Sequence, residues 1–156
     1  MSELLDDIDR RILNELIHEA RTPVTEIARR VGLSKTPVAA RIKNMENLGL
    51  ITGYRAMISP LKLGLSHVVY SEVKLNNTRE STLNTFNEAI KMIPEVEECY
   101  LIAGGFDYLL KIRTRNMTEY RRIMGEKISA LPNVSSTSTY VAMEAIVEDS
   151  FVDIEG

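Results

Sequence analysis

Two helix-length segments separated by only three residues constrain this chain more than any other feature. From Thr25 to Val31 (TEIARRV), Ile27, Ala28 and Val31 recur at helical spacing, and Gly32 follows where a helix commonly ends. After Leu33, Ser34 is a good N-cap, and Pro37 falls in the next first turn, where its missing N–H costs nothing. Val38, Ile42, Met45 and Leu48 or Leu50 then mark the inward face of a second helix, which Gly49 closes. A pair this short needs a third element against which to bury its apolar faces. The preceding residues supply one. Ile8, Ile12, Leu13, Leu16 and Ile17, with Leu5 one turn earlier, form the stripe of an amphipathic helix. Asp6, Asp7 and Asp9 sit at its electropositive start, and Thr22-Pro23 breaks it near Ala20-Arg21. The three segments read as a helix-turn-helix.

Charge agrees with a nucleic-acid partner for this part, although the whole chain carries −3. Between residues 21 and 55 seven basic residues (Arg21, Arg29, Arg30, Lys35, Arg41, Lys43, Arg55) stand against Glu26 and Glu46, a surplus of five. From residue 61 onward ten basic residues stand against fourteen acidic ones. Such asymmetry marks a nucleic-acid-binding part joined to a part with another task. The second helix of the pair is the candidate recognition helix, with Lys35, Thr36, Ala39, Ala40, Arg41, Lys43 and Asn44 on its outward face. Its N-terminus at Ser34 and Pro37, its cations and Arg30 suit phosphates, while Thr36, Ala39 and Ala40 are small enough to approach base edges. Arg41 either reads guanine or clamps a phosphate, and the sequence leaves both open. Residues 51–58 (ITGYRAMI) read as a strand pair or wing ended by Ser59-Pro60, with Arg55 as a backbone contact. The competing reading is a stable three-helix bundle with a solvated basic face.

The remaining hundred residues alternate. Strands are expected over 65–75, 96–103, 108–114 and 134–143, and helices over 79–93 and 117–131, the latter with Met117, Tyr120, Ile123, Met124, Ile128 and Leu131 inward. The order β-α-β-β-α-β is the ferredoxin-like arrangement, an antiparallel sheet with helices on one face. The fold class is therefore α+β: a winged helix-turn-helix over 1–60 and a ferredoxin-like domain over 61–156. Val68, Tyr70, Val73, Leu109, Leu110, Ile112, Tyr140, Val141 and Met143 exceed what one buried face needs. An uncovered apolar sheet face implies association, so a sheet-to-sheet dimer is expected. Such a dimer suits half-sites about 34–36 Å apart. Gly104-Gly105-Phe106-Asp107 has two readings. The glycines and Asp107 can grip the carboxylate and ammonium of an amino acid, or they simply build a hairpin turn with φ > 0 glycines.

Catalysis finds no support. His18 and His67 belong to different modules and have no Cys or acid at metal-ligand spacing. Cys99 has no neighbouring base, Glu95-Val96-Glu97-Glu98 reads as a solvated strand start, and Gly104-Gly105 lacks the later glycines of a nucleotide loop. No metal or cofactor is expected. No run approaches the roughly 20 apolar residues of a membrane span, and Leu4-Leu5 is followed at once by Asp6-Asp7 rather than a secretory core. With a lone cysteine, a cytoplasmic protein with no membrane partner is expected.

Several strings together resemble the leucine-responsive regulatory protein (Lrp/AsnC, feast/famine) family, and its Lrp branch most. They are Leu5-Asp6-Asp7-Ile8-Asp9-Arg10-Arg11-Ile12-Leu13, Val31-Gly32-Leu33-Ser34-Lys35-Thr36-Pro37-Val38, Arg41-Ile42, Leu48-Gly49-Leu50-Ile51 and Gly53-Tyr54. The resemblance continues through the second domain, which it identifies as a RAM domain for amino-acid sensing and assembly. It implies a transcriptional regulator that binds double-stranded DNA and assembles from dimers to tetramers or octamers. It also implies an amino-acid effector near Leu101, Gly104, Gly105, Phe106, Asp107, Tyr140, Val141 and Met143, at an interface between dimers. One departure is that the family often carries an acid where Gly105 stands. Two alternatives remain at this stage: an architectural DNA-binding protein with no effector, and an amino-acid-sensing subunit of a metabolic enzyme.

Overall fold

The computed structural model describes residues 4–148. They form two compact units, one running to Met57 and one from Ile58 to Val147. Residues 149–156, the end of the second domain expected from sequence, lie outside the described residues.

The first unit is three helices. α1 (Asp7–His18) opens on a reciprocal cap. The Asp6 carboxylate accepts the Asp9 N–H at 2.7 Å, and the Asp9 carboxylate accepts the Asp6 N–H at 3.2 Å. α2 (Val24–Val31) starts one residue earlier than the sequence predicts and ends at Gly32, whose φ of 78° is left-handed. α3 (Lys35–Asn47) follows Ser34. Ile12, Leu16, Ile27, Ala28, Val31, Val38, Ile42 and Met45 form the core. Of the two leucines the helical spacing offers to close it, Leu48 is exposed and Leu50 packs against it. The reversal at Gly49, with φ of 71°, returns the Leu50 N–H to the Met45 carbonyl and its side chain to the core.

The expected wing does not form as strands. Ile51 packs on the helical core, but no residue from 51 to 58 enters a ladder. Ile51, Thr52 and Ile58 are β-branched and favour extended backbone, but a strand forms only where a second segment pairs with it. No second strand pairs with it among the described residues.

The second unit begins with a 3₁₀ turn, Leu61–Leu63, after Pro60. It continues through β1 (His67–Leu75), α4 (Glu80–Ile90), β2 (Val96–Leu101), β3 (Tyr108–Thr114), α5 (Met117–Ile123) and β4 (Val134–Val141). The sheet order is β2-β3-β1-β4, every pair antiparallel, which is the ferredoxin-like βαββαβ topology. Strand pleating sends alternate residues to opposite faces. The register joins Val69 to Ile112, Ser71 to Leu110 and Val73 to Tyr108, and these pairs face the helices. They pack with Phe86, Ile90, Tyr120, Ile123 and Ile128. Polar atoms in this layer are satisfied: the hydroxyls of Ser71 and Tyr120 lie 2.8 Å apart, and those of Tyr120 and Thr139 2.6 Å apart.

Two expectations about this unit change. α5 stops at Ile123 and gives way to a π-helical turn over Met124–Ile128. The wider turn lets Ile123 and Ile128, five residues apart, both reach the core, and Met117 at the helix start is exposed rather than inward. The open sheet face is also less aliphatic than expected. Val73, Leu110 and Ile112 lie under the helices, leaving Val68, Tyr70, Leu109 and Tyr140 on the open face with Glu72, Lys111 and Arg113. The apparent excess came from counting both faces of the pleat. β4 also ends at Val141, so Met143, fully exposed, lies beyond the strand.

Candidate nucleic-acid interface and effector loop

The start of α3 is an open polar surface of the first unit. Ser34 has extended backbone and makes no side-chain cap bond, so the N–H groups of Lys35 and Thr36 keep their donor capacity. Pro37 has no N–H to satisfy. Lys35, Thr36, Pro37, Ala39, Ala40, Lys43 and Asn44 are all exposed. At 100° per residue, Thr36, Ala40 and Lys43 fall within about 60° of one another, a narrow stripe that fits a groove. Among the described residues Lys35 and Arg55 make no ion pair, and Lys43 makes only a loose one to Glu46 at 3.6 Å.

The arginines behave differently from the sequence expectation. Arg41 lies about 140° around α3 from Thr36, at the edge of the buried side beside Met45. Its Nη1 donates to Asp6 at 2.6 Å and to Asp9 at 2.8 Å. The Asp9 N–H and then this guanidinium hold the Asp6 carboxyl below its ordinary value. Arg30 bridges Glu15 of α1 at 2.5 Å and Glu26 of its own helix at 2.9 Å. Arg29 also holds Glu26, at 2.6 Å. Of the seven basic residues counted from sequence, three are thus committed to carboxylates. Asp6, Asp9 and Glu15 lie outside the 21–55 window, so a local charge count misses them. The helical phase of Arg41 was the available signal.

Hydrogen bonds from Arg29 and then Arg30 push the Glu26 carboxyl down to about 2 from an ordinary value of 4.5. A depressed folded value means the carboxylate stabilises the fold above 4.5, and that contribution is lost as pH falls toward about 2. The thermal midpoint of the first unit is therefore expected to fall across that window, and Glu26→Gln is expected to flatten the fall. Identical pH profiles for the two proteins would remove these pairs from the stability of α2.

In the second unit the β2–β3 loop is closed by Ile102 N–H to the Asp107 carbonyl at 2.8 Å. Asp107 donates its N–H to Val73, and its carboxylate accepts the Leu75 N–H at 2.7 Å, where the β1–β4 register shifts. The side chain expected to hold an ammonium group thus already serves a strand end, a partner in Leu75 that the sequence reading missed. Neither Gly104 nor Gly105 has positive φ, so the turn does not demand glycine there. A Cβ on Gly105 would meet nothing within 4 Å. Phe106 is half-buried, and Leu101, Tyr140 and Val141 are exposed. The candidate effector residues form two groups. The loop runs from Leu101 on the β2 edge to Asp107, which bonds Val73 and Leu75 at the C-terminal end of β1, whereas Tyr140 and Val141 pair with Tyr70 and Val69 nearer the other end. Three strand spacings separate Leu101 from β4 by about 14 Å, whereas Asp107 is bonded to the strand next to β4. Tyr140 interacts with Glu72, which raises its phenol above the ordinary value. Burial pushes the Cys99 thiol up to about 11, as for an unreactive core residue. Among the described residues no cluster of metal-ligating side chains occurs, and no helix is long and apolar enough to cross a membrane.

Comparison with known proteins agrees with both units. The family model described as the AsnC-type helix-turn-helix domain matches residues 5–46, and the Lrp/AsnC ligand binding domain matches residues 68–152. The chain is 67% identical over 150 residues to a proline dehydrogenase transcriptional activator of Rhodobacter capsulatus, covering 96% of this chain and 97% of that one. It is 51% identical over 144 residues to a proline dehydrogenase transcriptional activator of Rhizobium radiobacter, covering 92% of each. An AsnC family transcriptional regulator from Agrobacterium tumefaciens superposes with a TM-score of 0.91 at 29% identity, covering 97% of this chain and 98% of that one. These relatives are regulators of transcription, not enzymes.

Proposed function

We propose that this chain, which belongs to the Lrp/AsnC family of transcriptional regulators, binds duplex DNA through the start and outer stripe of α3 and controls a proline dehydrogenase gene in response to proline. The observation that carries the DNA reading is the uncapped, exposed start of α3, where Lys35 stands in the first turn beside the stripe of Thr36, Ala40 and Lys43. Residues 1–60 serve as the DNA-binding part and 61–156 as the sensing and assembling part. Ser34, Pro37 and Asn44 border the stripe, and Arg55 contacts the backbone from the segment after α3. The gene assignment rests on the two relatives described as proline dehydrogenase activators. Proline follows as effector because it is that enzyme's substrate. The protein works in the cytoplasm as a dimer that assembles further.

Asp107 meets β1 at Val73 and Leu75 while Tyr140 pairs with Tyr70, about 10–17 Å away along that strand, so a single chain does not close both on one small zwitterion. A site that uses both draws on a second copy. Proline binding then changes assembly, and DNA changes proline affinity by the same factor. The test is fluorescence anisotropy of a duplex from the promoter of the proline dehydrogenase gene, titrated with and without proline. Binding that shifts with proline supports the regulator. Binding that ignores proline and every other amino acid favours an architectural protein, the reading that the prior commitment of Asp107 to Leu75 supports. Asp107→Ala separates the two further. It leaves the half-buried Leu75 N–H unpartnered and is expected to cost the second unit about 1–3 kcal/mol in either case. Only in a proline sensor does it also abolish the response at a temperature where the variant is folded.

A further inference from the structure

Arg41 stands on the recognition helix yet turns away from its exposed stripe. The two carboxylates it meets are 35 and 32 residues earlier in the chain, on the cap of α1. Each carboxylate already has one oxygen in the reciprocal cap. Asp6 Oδ1 accepts from the Asp9 N–H, and Asp9 Oδ2 accepts from the Asp6 N–H. The remaining oxygens, Asp6 Oδ2 and Asp9 Oδ1, both go to Arg41 Nη1. One guanidinium nitrogen therefore closes a ring that fixes the first turn of α1 to the middle of α3. Asp9 is 17% exposed and Arg41 32%, so the ring is partly shielded from solvent.

The charge balance argues against a direct DNA contact by Arg41. Two carboxylates surround one guanidinium, leaving the group with a net negative charge. A phosphate approaching Arg41 meets that excess, and only Nε and Nη2 remain to bind it because Nη1 is held by both carboxylates. A guanine edge takes two guanidinium nitrogens in a fork, and the fork of the two terminal nitrogens is closed to it because Nη1 is already engaged. Arg41 does have the geometry to hold the angle and axial rotation of α3 against α1, and those set where Lys35, Thr36, Ala40 and Lys43 point.

We propose that Arg41, with Asp6 and Asp9, is a positioning residue that sets the recognition helix for DNA and takes neither phosphate nor base itself. This rests on the DNA-binding reading above, and the test separates the two. The full chain is titrated against a mixed-sequence duplex and against the promoter duplex over a series of salt concentrations. Failure of the unmodified protein to bind either duplex at low salt would remove the DNA reading, and the proposal with it. Where it binds, Asp9→Asn decides by sign. If Arg41 contacts phosphate and Asp9 merely competes, neutralising Asp9 frees the arginine, tightens binding and steepens the salt dependence. If Arg41 positions α3, Asp9→Asn weakens binding about tenfold at an unchanged salt slope. Asp7→Asn, the same charge change outside the ring, controls for net charge and leaves affinity equal or slightly tighter. Arg41→Lys keeps a single cationic nitrogen able to meet both carboxylates and is expected to stay within about threefold of the parent, whereas Arg41→Ala falls with Asp9→Asn. Tighter binding by Asp9→Asn, or an Arg41→Lys as weak as Arg41→Ala, overturns the proposal. If Asp9→Asn does not fold, the salt slope of Arg41→Ala decides it: an unchanged slope supports positioning, and a slope lower by about two in the dimer means phosphate contact and overturns the proposal.

Discussion

Raising monovalent salt from about 50 to 200 mM is expected to weaken duplex binding by the proposed dimer roughly a thousandfold. Each phosphate neutralised releases condensed counterions, so log affinity falls against log salt with a slope of about −0.9 per contact. Lys35, Lys43 and Arg55 are the cations of the proposed interface that remain available in each protomer. Six in a dimer give a slope near −5. Counting all seven basic residues of the 21–55 window gives fourteen, a slope near −13 and a loss beyond ten-millionfold over the same range. The prediction thus tests the ion pairs as well as the interface. A slope near −13 means that Arg29, Arg30 and Arg41 leave their carboxylates on DNA. A slope near zero means that no electrostatic interface exists. Lys35→Ala is expected to lower the slope by about two in the dimer, one contact from each protomer.

Much of the fold was legible in the sequence because its signals are local. Gly32 and Gly49 stand where the backbone turns left-handed, and Ile12, Ile27, Val38 and Ile42 repeat at the period of the helices that bury them. The order of strands and helices in the second unit followed for the same reason. What escaped depends on neighbours distant in sequence. Arg41 looked like a free cation because its partners lie 32 and 35 residues away. Asp107 looked like a ligand group because Leu75, which occupies it, is on another strand. The wing failed for a different reason: β-branched residues at 51–58 indicate extended backbone, and a strand needs a second segment to pair with. The apolar sheet face was overcounted because assigning residues to a face requires the exact pleat phase. Leu109 and Leu110 are adjacent in sequence and face opposite sides.

Replacing Phe86 by Ala is expected to unfold the second unit at a far lower temperature and leave the first unit unmoved. Phe86 is fully buried, and its ring lies 4.3 Å from that of Tyr108 at a tilt of 33°. Truncation removes its apolar contacts and leaves a cavity between α4 and the sheet, at a cost of about 3–5 kcal/mol. Whole domains hold only about 5–15 kcal/mol, so the loss is a large share of what keeps this unit folded. At roughly 4–8 °C per kcal/mol for a unit of this size, its transition drops by more than about 12 °C. The two cores share no residue, which is why the first unit should keep its own transition. Calorimetry of the parent and the variant reads this directly. A single transition that moves as a whole would mean that the units fold as one. A drop of only a few degrees would mean that α4 collapses into the space. DNA binding adds a second readout. Above the lowered transition the variant loses the sheet proposed to join two copies and keeps Lys35, Lys43 and Arg55 on a folded first unit. Its salt slope should then fall by half, from near −5 to near −2.5, as one protomer's contacts replace two. A slope that stays near −5 would place the joining surface outside the second unit.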